Sequence, residues 1–517
     1  MALALVPHVC PSDRLQLWVG VTGGDAPPHL QWTLDGSELE PEAKRALQPV
    51  LQDELAAKAD RNVWTGCFQF SGLIADHTYE IGVATAGLSV IRKVRTLPQR
   101  IPNGLQERFT VLLVSCFDVG EDVTGAAGEV LSKLKIRPNL TILAGDQVYL
   151  DIPTAKNFAD DAAWLANQFQ SSYVNNWFGD AGQPKDPREL PHGFPQVLSI
   201  APCAFLPDDH EFWNNYPFAT PPVQNSWKFA GRERWRRAAT QAYKGFQQTA
   251  EAEFGQGRIL NIDPLSILFL DTRSQRDLGT AASEPSRNQE GNLLGLAGRG
   301  LLESWVDDLV AGARSGNVRY GMLVTGQSLF SPSAGPYKGG ATDYEFSDYE
   351  ADFRFMVKQL ERVSVSGLPV ILATGDVHWG RVLEAHGPDS VDGAVYEVIA
   401  SPTSLVSSIV ADQAKEVWGA IKGLLGPKDY WPRHSDAQKP AEVFGSAGQF
   451  HVAVAQRTDN KPAVMRGNQA AMLRFAQLAG GINVEITYYS LSGDAAFDAS
   501  QEWTIELRLR PPRGAIT

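Results

Sequence analysis

Hydrophobic and polar positions alternate in short runs over roughly the first hundred residues. The runs LQLWVGV, HLQWTLDG, VWTGCFQFSGL, HTYEIGVAT and SVIRKVRTL are separated by Gly, Pro and Asp turns. This spacing predicts the short strands of a small immunoglobulin-like β-sandwich. Residues 97–104, LPQRIPNG, concentrate Pro, Gly and polar residues and are the predicted linker. We therefore expect an N-terminal domain over 1–104 and a second domain over 105–517.

From Phe109 onward the pattern changes to long apolar runs that alternate with helical stretches. FTVLLVS, LTILAG, SILFLD, YGMLVTG and PVILATG are almost entirely hydrophobic, as strands buried on both faces should be. After Ala400, a helical stretch precedes the strand-like runs FHVAVAQRT, INVEITYYSL and EWTIELRLR. The pattern predicts an α/β fold for the second domain.

Three segments between these runs have a different character. One face of a predicted helix is formed by Leu302, Trp305, Leu309 and Val310, and residues 343–363 form a second predicted packing helix. Residues 153–195 contain no strand run but carry scattered Trp, Tyr and Asn residues. A long excursion of this kind beside a site often forms a lid or a substrate wall, and we expect that role here.

Polar residues that can bind metal recur where the apolar strands give way to loops. VLLVS is followed by CFD, TILAG by DQVYLD, ILFL by DTRS and VILATG by DVH. In open α/β sheets, ligands bind outside the carboxyl ends of the strands. The loops after these strands are therefore the predicted functional site.

Charge and length limit the classes of ligand. The 46 Lys+Arg and 59 Asp+Glu residues give a net charge of -13, which repels the phosphate backbone of long nucleic acid. A small substrate is the expected partner, because metal ions bound to carboxylates locally reverse the sign of a site. The chain of 517 residues exceeds the length at which a single core stops growing, which is about 250 to 300 residues.

The cysteines and the hydropathy of the chain indicate the cellular compartment in which we expect the protein. The four cysteines are too scattered for a disulfide framework, and no CxxC pair suggests structural zinc. The N-terminus lacks the features of a signal peptide, and no stretch of about 18 apolar residues occurs. We expect a cytoplasmic protein without a membrane span. The sequence does not indicate the oligomeric state.

Two loops carry the strongest candidate chemistry. In AGDQVYLD, a buried strand is followed by Asp146 and, three residues later, Tyr149; a carboxylate can bridge two hard cations, and a phenolate binds ferric iron. In LPDDHEFWNNY, Asp209 can bind metal while His210 donates a proton to a leaving oxygen. Asn215 in the same segment suits either a substrate contact or a turn hydrogen bond.

Other strand ends add further candidates. Asp376 and His378 in ATGDVHWG lie two residues apart beyond a buried strand. Cys116 after VLLVS is either a buried apolar thiol or an iron-binding thiolate. Arg273 in LDTRS suits either a bidentate phosphate contact or a structural salt bridge. Gln327 in VTGQS is a candidate from its position alone.

The motif series SCFD, GDQVYLD, DDHEFWNNY, LDTR, TGQ and GDVHW, in that order, resembles the PhoD-like alkaline phosphatases of the calcineurin-like metallophosphoesterase superfamily. The resemblance covers about residues 105 to 405. It implies a catalytic domain of two facing β-sheets flanked by helices, preceded by a small β-sandwich. It also implies a phosphatase or phosphodiesterase activity.

The resemblance also implies a metal-ligand set. Cys116, Asp146, Tyr149 and His378 would hold a first metal, Fe(III), with Asp146 bridging. Asp209 and Asp376 would help to hold a second metal, Ca²⁺ or another divalent ion such as Mn²⁺, Zn²⁺ or Mg²⁺.

These residues favour hydrolysis of a small phosphate ester, in which a metal-bound hydroxide attacks phosphorus at a dinuclear site. His210 would protonate the leaving group, and Arg273 would orient the phosphate. The sequence does not indicate whether the substrate is a phosphate monoester or a phosphate diester. The alternative is a non-catalytic protein that keeps the fold and binds a ligand or partner.

Overall fold

Strands dominate the chain, and most of them join two large sheets. The computed structural model describes residues 1–150, 161–179, 184–218, 228–250, 254–276, 292–331, 346–387, 393–404, 443–444, 449–465, 467–491 and 503–512. The strands are β1 (Leu3–His8), β2 (Arg14–Thr22), β3 (Gln31–Leu34), β4 (Ser37–Glu38), β5 (Glu42–Pro49), β6 (Val63–Ser71), β7 (Thr78–Thr85), β8 (Leu88–Arg95), β9 (Phe109–Val114), β10 (Leu140–Ala144), β11 (Cys203–Leu206), β12 (Arg258–Ile262), β13 (Leu265–Phe269), β14 (Tyr320–Val324), β15 (Val370–Thr374), β16 (Gly380–His386), β17 (Ala394–Ile399), β18 (Val443–Phe444), β19 (Gln449–Val454), β20 (Val464–Met465), β21 (Gln469–Leu478), β22 (Gly481–Ser490) and β23 (Trp503–Leu509).

Seven α-helices and two short 3-10 helices connect these strands within the described residues. The helices are α1 (Asp53–Ala56), α2 (Ala126–Ser132), α3 (Ala162–Phe178), α4 (Phe194–Leu198), α5 (Phe229–Phe246), α6 (Gly295–Ser315) and α7 (Glu350–Val365), and the 3-10 helices are Asp209–Glu211 and Phe346–Asp348. None of the helices in this part of the chain combines the length and the apolar character needed to cross a membrane.

A ten-stranded sheet and a nine-stranded sheet form the centre of the molecule. The first has the order β23-β22-β21-β9-β10-β11-β1-β2-β6-β5, and the second runs β12-β13-β14-β15-β17-β16-β19-β18 with β20 beside β16. Apolar side chains from both sheets, among them Leu113, Ile142, Ile267, Met322 and Ile371, form one buried core. The two sheets therefore pack face to face.

Helices cover the outer face of each large sheet. Residues of α3, α4 and α5 share a core with β2, β10 and β11, and residues of α6 and α7 share another with β13, β14 and β15. The helix predicted from Leu302, Trp305, Leu309 and Val310 is confirmed, because all four side chains are buried in that second core. The observed order of layers is helix, sheet, sheet, helix, which is a mixed α/β architecture.

The N-terminal strands do more than form a separate sandwich. All five predicted runs are strands, and a four-stranded sheet, β4-β3-β7-β8, shares a core with β1, β2 and β6. However, β1, β2, β5 and β6 extend the ten-stranded sheet, since β1 pairs in parallel with β11 at His8 and Cys203. The division into domains at residue 104 stays a prediction.

The remaining predictions concern the insertion and the C-terminal region. The 153–195 insertion contains α3, but residues 151–160 and 180–183 lie outside the described residues. The predicted helix over 343–363 corresponds to α7, whose first residue is Glu350. The helical stretch predicted after Ala400 falls on residues 405–442, which also lie outside the described part. The three strand-like runs that follow correspond to β19, β22 and β23.

Candidate metal centre

Seven parallel strand ends meet at one edge of the two sheets. β9, β10 and β11 are parallel in the first sheet, and β13, β14, β15 and β17 are parallel in the second. Gly375, directly after β15, lies so close to the other sheet that an added Cβ would be 2.2 Å from the Ala144 oxygen. A side chain there would separate the two edges. The glycine therefore allows loops from both sheets to form one site.

Five of the predicted site residues have a backbone that non-glycine residues rarely adopt. Positive φ angles occur at Cys116 (54°), Asp146 (56°), Asn215 (69°), Asp376 (66°) and His378 (56°). Such conformations cost on the order of 1 to 3 kcal/mol each and cluster at functional sites. Four loops, after β9, β10 and β11 of the first sheet and β15 of the second, share this feature, and the sequence pattern had selected the same residues for their chemistry.

Acidic side chains from three loops form the centre of the site. Ligand atoms of Asp146, Asp208, Asp209 and Asp376 lie within 4.8 Å of one another, and Asp146, Asp209 and His210 form a second such group. All except Asp376 and His210 are buried. Close, buried carboxylates repel one another unless a cation lies between them. The described residues can therefore hold metal ions here.

Asp208 was missed as a site residue in the sequence, and its neighbour Asp209 was chosen instead. The Asp208 Oδ1 atom lies 2.8 Å from Arg273 Nε and 2.7 Å from Arg273 Nη2, in a fully buried ion pair. Asp208 Oδ2 has no hydrogen-bond partner among the described residues. The adjacent acids in the DDHE motif were the only available signal. These contacts are those of the structural salt bridge that the sequence allowed for Arg273, whose contact with phosphate stays a prediction.

The site has two halves, one formed by loops of the first large sheet and one by loops of the second. Cys116 lies between them. Its Sγ is 3.5 Å from Asp146 Oδ2 and 3.6 Å from the backbone oxygen of Asp376. The Ser401 hydroxyl donates to Sγ at 3.1 Å and accepts the His378 N–H at 3.2 Å. Ser401 thus links two predicted ligands, although nothing in its local sequence indicated this.

The aromatic ring of Tyr149 stacks against the His210 ring. Their centroids are 4.3 Å apart with an angle of 39° between the planes. The Tyr149 hydroxyl is buried and has no hydrogen-bond partner in the described part of the chain. A buried phenol oxygen is normally satisfied, so an unpartnered one beside carboxylates is suited to a metal ligand. The stacking also fixes the plane of the imidazole.

The loops are connected by hydrogen bonds between site residues. The Asp146 Oδ1 atom accepts the His210 N–H at 3.1 Å, and Asp209 Oδ2 accepts the Asn215 N–H at 2.7 Å. In the second sheet, the Gln327 side chain donates to Asp376 Oδ2 at 3.3 Å. Gln327 is therefore in contact with the acidic cluster, as its position in the sequence suggested.

Two buried glutamates hold the loops from behind. Glu211 accepts the N–H groups of Asp146, Gln147 and Asp208. Glu397 on β17 holds the loop after β14 in a similar way. Both carboxylates are 0% exposed.

Burial and neighbouring negative charges oppose the loss of a proton from the acidic side chains of the site. Burial raises the pKa of Asp146 far above its ordinary value, and His210 opposes that shift while Asp209 and Asp208 add to it. Burial also raises the pKa values of the Cys116 thiol and the Tyr149 phenol, and nearby Asp146 raises both further. A bound cation reverses these effects by favouring the anionic ligands. The donor set of carboxylates, imidazole, phenol and thiol therefore fits metal ions.

The whole chain is similar to a solved structure. It superposes on "Structure of PhoD" with a TM-score of 0.53 and 15% sequence identity, covering 99% of this chain and 92% of that one. The fold is that of PhoD. Because the sequence identity is low, this structural similarity is evidence for the fold and is not evidence for the activity. It agrees with the resemblance that the order of the motifs indicated.

The other comparisons add little. Two structures of a Bacteroides uniformis beta-glucuronidase, each 9% identical, cover 98% of this chain and 60% of that one, but their TM-scores of 0.21 carry no argument. No protein-family model and no curated protein matches the sequence. The likeness to PhoD therefore rests on tertiary structure.

Proposed function

We propose that this protein is a metal-dependent phosphoesterase that hydrolyses small phosphate monoesters or diesters, as an alkaline phosphatase or phosphodiesterase does. The observation that carries the proposal is the group formed by Asp146, Asp208, Asp209 and Asp376, which joins loops from both sheets in a PhoD-like fold. Buried carboxylates shared between two sheets suit a pair of cations better than a single structural ion.

The metal assignment follows from the donors. Cys116, Asp146, Tyr149 and His378 would hold the first cation, which we propose to be Fe(III) because phenolate and thiolate suit it. Asp209 and Asp376 would hold the second, with Asp146 shared; Ca²⁺, Mn²⁺, Zn²⁺ or Mg²⁺ are the candidates. The ions would supply Lewis-acid stabilisation of phosphoryl charge and lower the pKa of water.

The other side chains have roles that follow from their contacts. His210 is stacked on Tyr149, so its imidazole keeps one orientation in which to protonate the leaving alkoxide. The Asn215 backbone is fixed by Asp209, and we propose that its amide side chain contacts a phosphoryl oxygen. We propose that Arg273 orients the adjacent acids through its pair with Asp208 and contributes positive charge behind the phosphate.

The test is hydrolysis of mono- and bis-(4-nitrophenyl) phosphate by the purified protein, with and without a chelator. The variant Asp146→Asn should lose turnover and bound metal, whereas Asp307→Asn, an exposed carboxylate on α6, should behave as wild type. The preferred ester distinguishes phosphatase from phosphodiesterase.

Absence of turnover after iron and calcium are supplied, or turnover that survives in Asp146→Asn, would contradict the proposal. The first result would favour the non-catalytic alternative. A visible absorption band from ferric phenolate or thiolate is an independent readout of the first metal.

A further inference from the structure

Glu211 lies at the end of the 3-10 helix after β11, and its carboxylate makes four hydrogen bonds. One oxygen accepts the N–H groups of Asp146 at 2.9 Å and Asp208 at 2.8 Å. The other accepts the N–H of Gln147 at 2.7 Å and the side-chain amide of Gln247 at 3.2 Å. The donors come from the loop after β10, the loop after β11 and the end of α5.

These contacts join two loops that carry metal-competent carboxylates. Asp146 and Asp208 belong to different loops, yet a single oxygen of Glu211 accepts the backbone N–H of both. Asp146 also has a left-handed backbone that its local sequence does not favour. A buried acceptor that holds such an N–H in place offsets the strain, because a buried N–H group without a hydrogen bond is costly.

The same contacts indicate that Glu211 does not bind the metal itself. A carboxylate offers about four lone-pair directions, and the four hydrogen bonds use all of them. Within the described residues, no Lys, Arg or His forms an ion pair with Glu211. Its two oxygens are therefore directed at three backbone N–H groups and one side-chain amide rather than at a side-chain cation or an ion.

We infer that Glu211 is the positioning residue that sets the separation of Asp146 from the Asp208–Asp209 turn and thereby tunes metal affinity. The inference rests on the proposed metal site. In the variant Glu211→Gln, an amide nitrogen replaces one oxygen and faces at least one N–H donor. Outer-shell partners typically contribute about 10- to 100-fold to metal affinity, so a loss of that size is expected.

The experiment is titration of the metal-free full chain with Mn²⁺, followed by electron paramagnetic resonance, beside circular dichroism and thermal unfolding. Asp352→Asn is the matched control, because this buried carboxylate on α7 also accepts two backbone N–H groups, those of Leu293 and Leu294, but none from a loop of the site. Both variants should unfold at lower temperature, but only Glu211→Gln should bind Mn²⁺ more weakly. A purely structural role would move the unfolding temperature and leave metal affinity unchanged.

A second variant covers the case in which Glu211→Gln does not fold. Gln247→Met removes one donor to Glu211 from α5 and touches neither loop, so a loss of less than about tenfold in Mn²⁺ affinity is expected. Wild-type affinity in every variant that folds would overturn the inference while the metal site stands. No Mn²⁺ binding by the wild-type protein would overturn the proposed function, and the inference with it.

Discussion

The two halves of the site, one at the edge of each sheet, are held by buried glutamates in different electrical settings. Glu397 accepts Ser328 Oγ, Leu329 N–H and Phe330 N–H, and its other oxygen lies 3.0 Å from Arg381 Nη2. Glu211 accepts comparable backbone N–H groups but has no ion pair within the described residues. The second half therefore neutralises its glutamate with a protein cation, and the first half does not.

The difference indicates where positive charge is still needed. Arg273 pairs with Asp208 at 2.7 Å and with Asp209 at 3.9 Å, whereas within the described residues neither Asp146 nor Glu211, both buried in the first half, forms an ion pair. Uncompensated buried anions are costly, so this half favours a bound cation more strongly than the second. The comparison can be tested by changing matched residues on the two sides.

The largest effects are expected from the two histidines, one in each half. Replacing His210 with Ala should lower turnover by about 10²- to 10⁴-fold, the contribution of a general acid, while the metal content stays intact. Replacing His378 with Ala should instead remove the first metal. Steady-state hydrolysis and metal analysis of the purified variants separate the two effects.

The control for that pair is His386→Ala, since this half-exposed ring on β16 contacts Glu384 and not the site. It should retain turnover and metal. If His210→Ala loses metal as His378→Ala does, His210 is a ligand, as its grouping with Asp146 and Asp209 also permits. The two halves would then be alike in their chemistry.

A smaller effect, on stability, is expected from the ion pair that holds the second half. Glu397→Gln should lower the free energy of unfolding by about 3 to 5 kcal/mol, because Arg381 is left as an unpaired buried charge. The double variant Glu397→Leu with Arg381→Met should lose less, because no charge is stranded. Urea unfolding of the metal-free protein measures both. A loss below about 1 kcal/mol for Glu397→Gln would mean that the pair behaves like an exposed one.

The sequence indicated the candidate residues at the strand ends more completely than the contacts that hold them in place. Apolar runs followed by acids are local patterns, and they selected Asp146, Asp209 and Asp376, whose side chains lie close together in the structure. Glu397 lies within the apolar run AVYEVI, and the loop residues that donate hydrogen bonds to it are 67 to 69 residues away. Such a contact depends on how β14 and β17 pair with β15, which no local pattern records.

The N-terminal region shows the same limit. Its alternating runs predicted several of the strands, but β1 and β5 were not recognised: β1 is a short continuous apolar run without alternation, and β5 is mostly exposed. The parallel pairing of β1 with β11 joins residues 195 positions apart. Alternation determines which face of a strand is buried, and it does not determine which distant strand lies beside it.

The last predicted effect concerns His8, another buried ionisable group on the side of the first sheet. Its ring is 1% exposed, packs edge-on against Phe205, and has no hydrogen-bond partner for either nitrogen among the described residues. Burial lowers the pKa of His8 from 6.5 to about 3, and the positive charges of Arg45 and Arg258 add to the shift. The unfolded chain therefore binds a proton below pH 6.5 that the folded chain rejects.

The neutral ring contributes stability that is fully present above pH 6.5 and is lost as the pH falls toward about 3. As the pH falls, His8 lowers the free energy of unfolding by up to ~1.4 kcal/mol per pH unit. His8→Leu should reduce the slope of unfolding free energy against pH by that amount between about pH 6 and about pH 4, whereas His192→Leu, on an exposed loop, should not. Parallel slopes for His8→Leu and wild type would show that acid lability arises elsewhere.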